Sequence, residues 1–197
     1  MSDFTQALDQ WLGEVENFHL PRWHELPDLN LYMDQVLTYI NETLGVIDTE
    51  TMDREKLLTA AMINNYVKHN LIPKPEKKRY QREHIACLFV YVILKPVLSL
   101  SSIQSGIILQ VEVCKGNLQV AYDLFCRQFE RSFRDVSRMV GREGDPAAQH
   151  CISPNSVGTY MAVMALVSKV VAEKVIELKR RSQEAGMVQD ASTEEER

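Results

Sequence analysis

Glycine and proline are scarce, with 8 and 7 among 197 residues. That scarcity argues against a fold of many short strands joined by tight turns and favours long helices. Cysteine is limited to Cys87, Cys114, Cys126 and Cys151, and no two stand in a CxxC pair. The pattern fits no zinc knuckle and no dithiol redox motif. No uncharged apolar run is long enough for a bilayer: the nearest, residues 157–172, is broken by Lys169. The first residues are acidic and lack an apolar stretch, so we expect no secretory signal, a cytoplasmic chain and reduced thiols. There is no GxSxG, no phosphate-binding glycine loop and no HExxH, and nothing in the residues asks for an enzyme or a cofactor.

What is present is a globular composition, 45% hydrophobic and 25% charged, sufficient for a core. The net charge of -5 is unevenly spread. Residues 1–58 are rich in Asp and Glu against only Arg22, Arg54 and Lys56. From Lys68 to Arg82 the balance reverses, with Glu76 alone facing Lys74, Lys77, Lys78, Arg79 and both ends. A polyanion responds to such a local patch rather than to the sum.

Apolar spacing predicts helices over residues 4–18, about 31–44, 59–69, 81–94, about 101–115, 118–140 and 153–181. Asp28 or Asn30 is the expected cap of the second, and Gly45 its end. Thr59 caps the third, with Ile63, Tyr66 and Val67 facing inward, and Asn70 stops it. Pro73–Arg79 reads as a basic loop or hairpin. Pro96 ends the fourth helix, and Ser101 or Ser102 caps the fifth. Gly116-Asn117 breaks it before a helix with Leu118, Ala121, Leu124, Phe125, Phe129, Phe133, Val136 and Val140 on one face. Ser153-Pro154 opens the last helix, and residues 182–197 form a polar tail expected to be disordered.

Residues 59–103 follow the order helix, "NLIP", basic loop, "RY", helix, "LSLSSI". This order resembles the winged helix-turn-helix of MerR-type regulators, on Ile63, Tyr66, Leu71, Ile72, Pro73, Arg79, Tyr80, Leu98, Ser99, Leu100 and Ile103. Residues 23–105 also resemble a bacterial domain family of unknown function, through "LPDLNLYMDQV", "MINNYVKHNLIPKPEKKRY" and "REHIA". The MerR resemblance implies a recognition helix at 59–69, a wing at 74–80, double-stranded DNA as partner and a homodimer. It implies that Tyr66, Arg79 and Tyr80 contact phosphates. The sequence departs from that pattern in three places. Asn64 replaces the usual Arg, Asn70 replaces a Gly, and residues 45–58 replace a short turn.

The residues themselves support part of this picture. Asn64, Asn65 and Lys68 fall on the exposed side of their helix, and Asn pairs well with adenine in the major groove. Lys74, Lys77, Lys78 and Arg79 suit phosphates. The expected architecture is mainly α, with a MerR-like N-terminal region over 1–105, a C-terminal helical bundle region over 106–181 and a tail. The C-terminal region is the candidate for dimerisation or for sensing an unidentified effector. The alternative is a non-catalytic protein-interaction module on a winged-helix scaffold that has lost DNA binding.

Other features have blander readings. His19 and His24 with Glu16 and Glu25 fit no metal spacing, and His150-Cys151 is equally weak, so no metal site is expected. Arg127, Arg131, Arg134 and Arg138 read as a solvated stripe. Residues 157–178 are apolar on more than one face and read as bundle core or dimer seam.

Overall fold

The computed structural model describes residues 10–14, 16–45 and 57–139, together with positions 161, 164–165 and 168–169. Residues 10–14 and 16 are helical, Asn17 and Phe18 are a turn and a coil rather than the helix expected to reach 18, and positions 4–9 and 15 lie outside the described residues. A single 3-10 turn, Trp23–Glu25, interrupts the proline-bearing stretch that follows. Five helices come next: α1 (Met33–Leu44), α2 (Ala60–Lys68), α3 (Arg82–Leu94), α4 (Leu100–Val113) and α5 (Leu118–Met139). Among the described residues no helix is long and apolar enough to cross a membrane.

The mainly helical expectation holds, but several boundaries move. α1 starts at Met33, not after Asp28 or Asn30. The reason is long-range. Leu31 donates to the Tyr80 carbonyl at 2.9 Å and accepts from the Tyr80 N–H at 2.8 Å. That antiparallel bridge keeps Leu31 extended, so the helix begins two residues later. Gln35 Oε1 then accepts the Tyr32 N–H at 2.9 Å and satisfies one donor of the first turn.

α2 is capped where expected. Thr59 Oγ1 accepts the Met62 N–H at 3.3 Å. At its other end Asn70 is left-handed, with φ 54°. The Leu71 N–H reaches the Tyr66 carbonyl at 2.9 Å and the Asn70 N–H reaches Val67 at 3.2 Å. This pair of bonds is a Schellman stop, and Asn takes the place usually held by Gly.

α3 is the central helix. His84, Ile85, Ala86, Leu88, Phe89, Tyr91 and Val92 are all buried, so it has no solvated stripe to give it amphipathic spacing. It packs on α1, α4 and α5. α4 is capped by Ser99, whose Oγ accepts the Ser102 N–H at 3.1 Å, rather than by Ser101 or Ser102. Gly116, at φ 79°, and Lys115, at φ 56°, end it. Asn117 Oδ1 opens α5 by accepting the Val120 N–H at 3.1 Å.

The buried stripe of α5 is Ala121, Tyr122, Cys126 and Glu130, with Leu124, Phe125, Phe129 and Phe133 only half-buried. The polar members of that stripe escape an apolar count because their partners are distant. Glu130 accepts the Leu20 N–H at 3.0 Å and pairs with Arg22 Nη2 at 2.6 Å. Asp123 accepts the Trp23 N–H at 2.8 Å, and Tyr122 donates to the Pro21 carbonyl at 2.9 Å. The segment 18–26 is thereby clamped onto α5. One core cluster joins Phe18, Leu20 and Leu26 to Ile103, Tyr122 and Cys126. The division expected at 105/106 falls inside α4, and α5 belongs to the same core. The last helix (153–181) and the tail lie largely outside the described residues. So do positions 46–56 of the long 45–58 connection.

Candidate nucleic-acid interface

Between α2 and α3 the chain makes a four-residue turn. The Arg79 N–H donates to the Glu76 carbonyl at 2.8 Å, and Glu76 and Arg79 form a bridge. Lys77 (φ 48°) and Lys78 (φ 62°) occupy the two central positions. Both being left-handed, this is the mirror-image turn type that fits the twist of a hairpin. Among the described residues the hairpin pairs only through isolated bridges, Glu76–Arg79 and Leu31–Tyr80, and no longer strand forms. The Leu31–Tyr80 bridge anchors its base to the chain just before α1.

The exposed side of α2 carries Ala61, Asn64, Asn65 and Lys68. Facing it, the hairpin contributes Lys74 and Lys78 to a concavity of about 630 Å³. Asn64 lines the same concavity, Val67 and Pro75 form apolar walls, and Asp34 is its acidic member. Lys77 stands exposed at the turn itself.

Arg79 is placed elsewhere. Its guanidinium lies 4.3 Å from the Tyr32 ring centroid, and its Nη2 donates to Tyr32 Oη at 2.8 Å. Its Nη1 reaches the Asn30 carbonyl at 3.3 Å. Together with Leu29 and Gln35 these residues line a second shallow concavity. Leu29 is 78% exposed and Tyr32 48%.

Tyr66 and Tyr80 do not stand on an open face. They are 1% and 2% exposed. Tyr66 packs against Tyr91 with ring centroids 5.1 Å apart, and Tyr80 meets the His84 ring edge-on at 5.6 Å. Burial raises both phenol pKa values, so both rings are neutral packing groups. The helical spacing, which put Tyr66 inward, agrees with this placement; the phosphate role implied by resemblance does not. Residues that sequence reasoning missed are Tyr32 and Asp34. No local signal points to them, since the Leu31–Tyr80 pairing brings them to the hairpin from almost fifty residues away.

The family model for Domain of unknown function (DUF1836) matches residues 21–125. The chain belongs to the DUF1836 family. No curated protein and no solved structure matches it. The DUF1836 region extends beyond the 23–105 expected from sequence, into α5. It contains the cleft, the hairpin, and the Trp23–Asp123 and Tyr122–Pro21 contacts that close the N-terminal segment onto α5. Among the described residues no group of three His, Cys, Asp or Glu is placed to hold a metal ion. His19 instead contacts two carboxylates, Glu25 at 2.8 Å and Glu130 at 3.3 Å.

Proposed function

We propose that the cleft between α2 and the hairpin is a surface for double-stranded DNA, and that the protein is a non-catalytic transcriptional regulator. The observation that carries this reading is the meeting of Asn64 with Lys74 and Lys78 on one open concavity, beside an exposed helix side without an acid. α2 has nine residues, a length of about 14 Å, and an α-helix about 10–12 Å across fits a major groove about 12 Å wide. Ala61 lets the backbone approach closely, and Asn64 and Asn65 offer paired donor and acceptor groups to base edges. Lys68, Lys74, Lys77 and Lys78 take the phosphates on either side. The MerR likeness adds the order of helix, hairpin and helix, and with it a homodimer reading paired half-sites; an effector sensed by the C-terminal region and a cytoplasmic setting complete the reading.

The test is binding to random-sequence duplex DNA across a salt series, comparing wild type with Lys74→Ala/Lys77→Ala/Lys78→Ala. Arg79 is left intact because Tyr32 and Asn30 already hold it. Wild type should lose affinity steeply with salt. The variant should flatten the log–log slope by about 0.9 for each phosphate it no longer neutralises. No binding by wild type at about 50 mM salt, where non-specific phosphate binding is strongest, ends the DNA reading.

A second reading has its own observation. The exposed Leu29, Tyr32 and Arg79 cluster has the aromatic, aliphatic and arginine character of a protein-contact surface. On that reading the chain is an interaction module, and Tyr32→Ala abolishes partner capture while DNA plays no part.

A further inference from the structure

A groove of about 170 Å³ opens between α3, α4 and α5, walled by Cys87, Val90, Leu94, Ile107, Val111 and Phe125. α4 is rich in Ile, Leu and Val, yet Ile103 is its single buried residue. Ile108 and Val113 on the same helix are 52% and 71% exposed. An apolar helix this bare calls for a cover.

The chain itself holds the matching element. It continues from residue 140 to 197, and 157–171 is its most apolar stretch after α5. Met164, Ala165, Ser168 and Lys169 are helical and exposed. At helical spacing, Val163, Leu166, Val167 and Val170 fall on the side opposite Ser168 and Lys169, and over 160–171 that side is wholly apolar. The connection over 140–156, at roughly 3.3 Å per residue extended, reaches about 55 Å. α5 is 22 residues long, only about 33 Å. The segment therefore has chain enough to return alongside α5 to the groove.

We propose that the groove between α3, α4 and α5 is the seat of the chain's own segment 157–171, bound in cis through Val163, Leu166, Val167 and Val170. This assignment stands independently of DNA binding. A benzophenone amino acid at Gln110, on the groove's rim, should photo-crosslink in the full chain to residues 157–171, in a band of monomer mass. The same probe at exposed Thr38 on α1 should not. Leu166→Asp/Val170→Asp should abolish the crosslink, and Ser168→Asp should leave it. Gln128, also at the groove, serves as a second probe position should the Gln110 variant fold poorly. Crosslinks to 157–171 found only at dimer mass would assign the groove to a second copy and overturn the cis seat. Crosslinks that never include 157–171 would overturn the proposal entirely.

Discussion

At His84 the imidazole Nδ1 accepts the Gln81 N–H at 3.0 Å while the ring is 5% exposed beside Tyr80. Burial, the largest influence, lowers its pKa below the ordinary 6.5. As pH falls below 6.5 the unfolded chain takes up a proton that the folded chain refuses, so stability drops until the folded pKa is reached. Tm should therefore decline as pH falls below 6.5. His84→Gln keeps an acceptor for Gln81 and should show a shallower decline; parallel curves would discard this account. Asp34 presents a residue-scale question of sign. Its carboxylate lies in the cleft with Lys74 and Lys78, where it would repel phosphates. Asp34→Asn should tighten DNA binding by roughly 1 kcal/mol, about fivefold, in a titration at fixed salt. Unchanged affinity would place DNA away from this cleft. Single residues were legible where their chemistry is local, as with the Thr59 cap and the Asn70 stop. They were not legible where burial decides, as with Tyr80, whose aromatic hydroxyl suits either a phosphate or a core.

The hairpin shows the same divide at the scale of elements. Its basic, proline-bearing composition marks a turn, but not the left-handed backbone that Lys77 and Lys78 both adopt. An L side chain there costs roughly 1 kcal/mol or more per residue, and Asn-Gly is the sequence this turn prefers. Lys77→Asn/Lys78→Gly should raise Tm by several degrees and, if these lysines meet phosphates, weaken DNA binding in the same preparation. A lower Tm in thermal melts would show that the turn is unstrained. The five helices were readable because apolar runs, caps and breakers are local properties, even in α3, which has no amphipathic face. The start of α1 was not, since Leu31 is pinned by a partner almost fifty residues on.

For the whole molecule, the position 105/106 falls inside α4, and the interactions that join the two sides of it are remote in sequence. Glu130 is the hub. Burial alone would raise its pKa, but the hydrogen bonds from Arg22 and the Leu20 N–H, with the charges of Arg22 and His19, hold it below its ordinary value. Its contribution is present above pH 4.5 and is lost as pH falls through the lower folded value. Glu130→Ala strands the half-buried Arg22 and should cost about 3 kcal/mol in urea unfolding at neutral pH. Glu130→Gln, which keeps one acceptor, should cost less. Equal stability of all three proteins would remove the clamp from the account. The Leu20–Glu130 hydrogen bond closes 110 residues of chain. On the ribosome, at roughly 5–20 residues per second, Leu20 and its apolar neighbours wait about 6 to 20 seconds for α5 to be made. During that interval Phe18, Leu20 and Leu26 have no finished core to enter. The nascent chain is therefore most in need of a chaperone before α5 emerges.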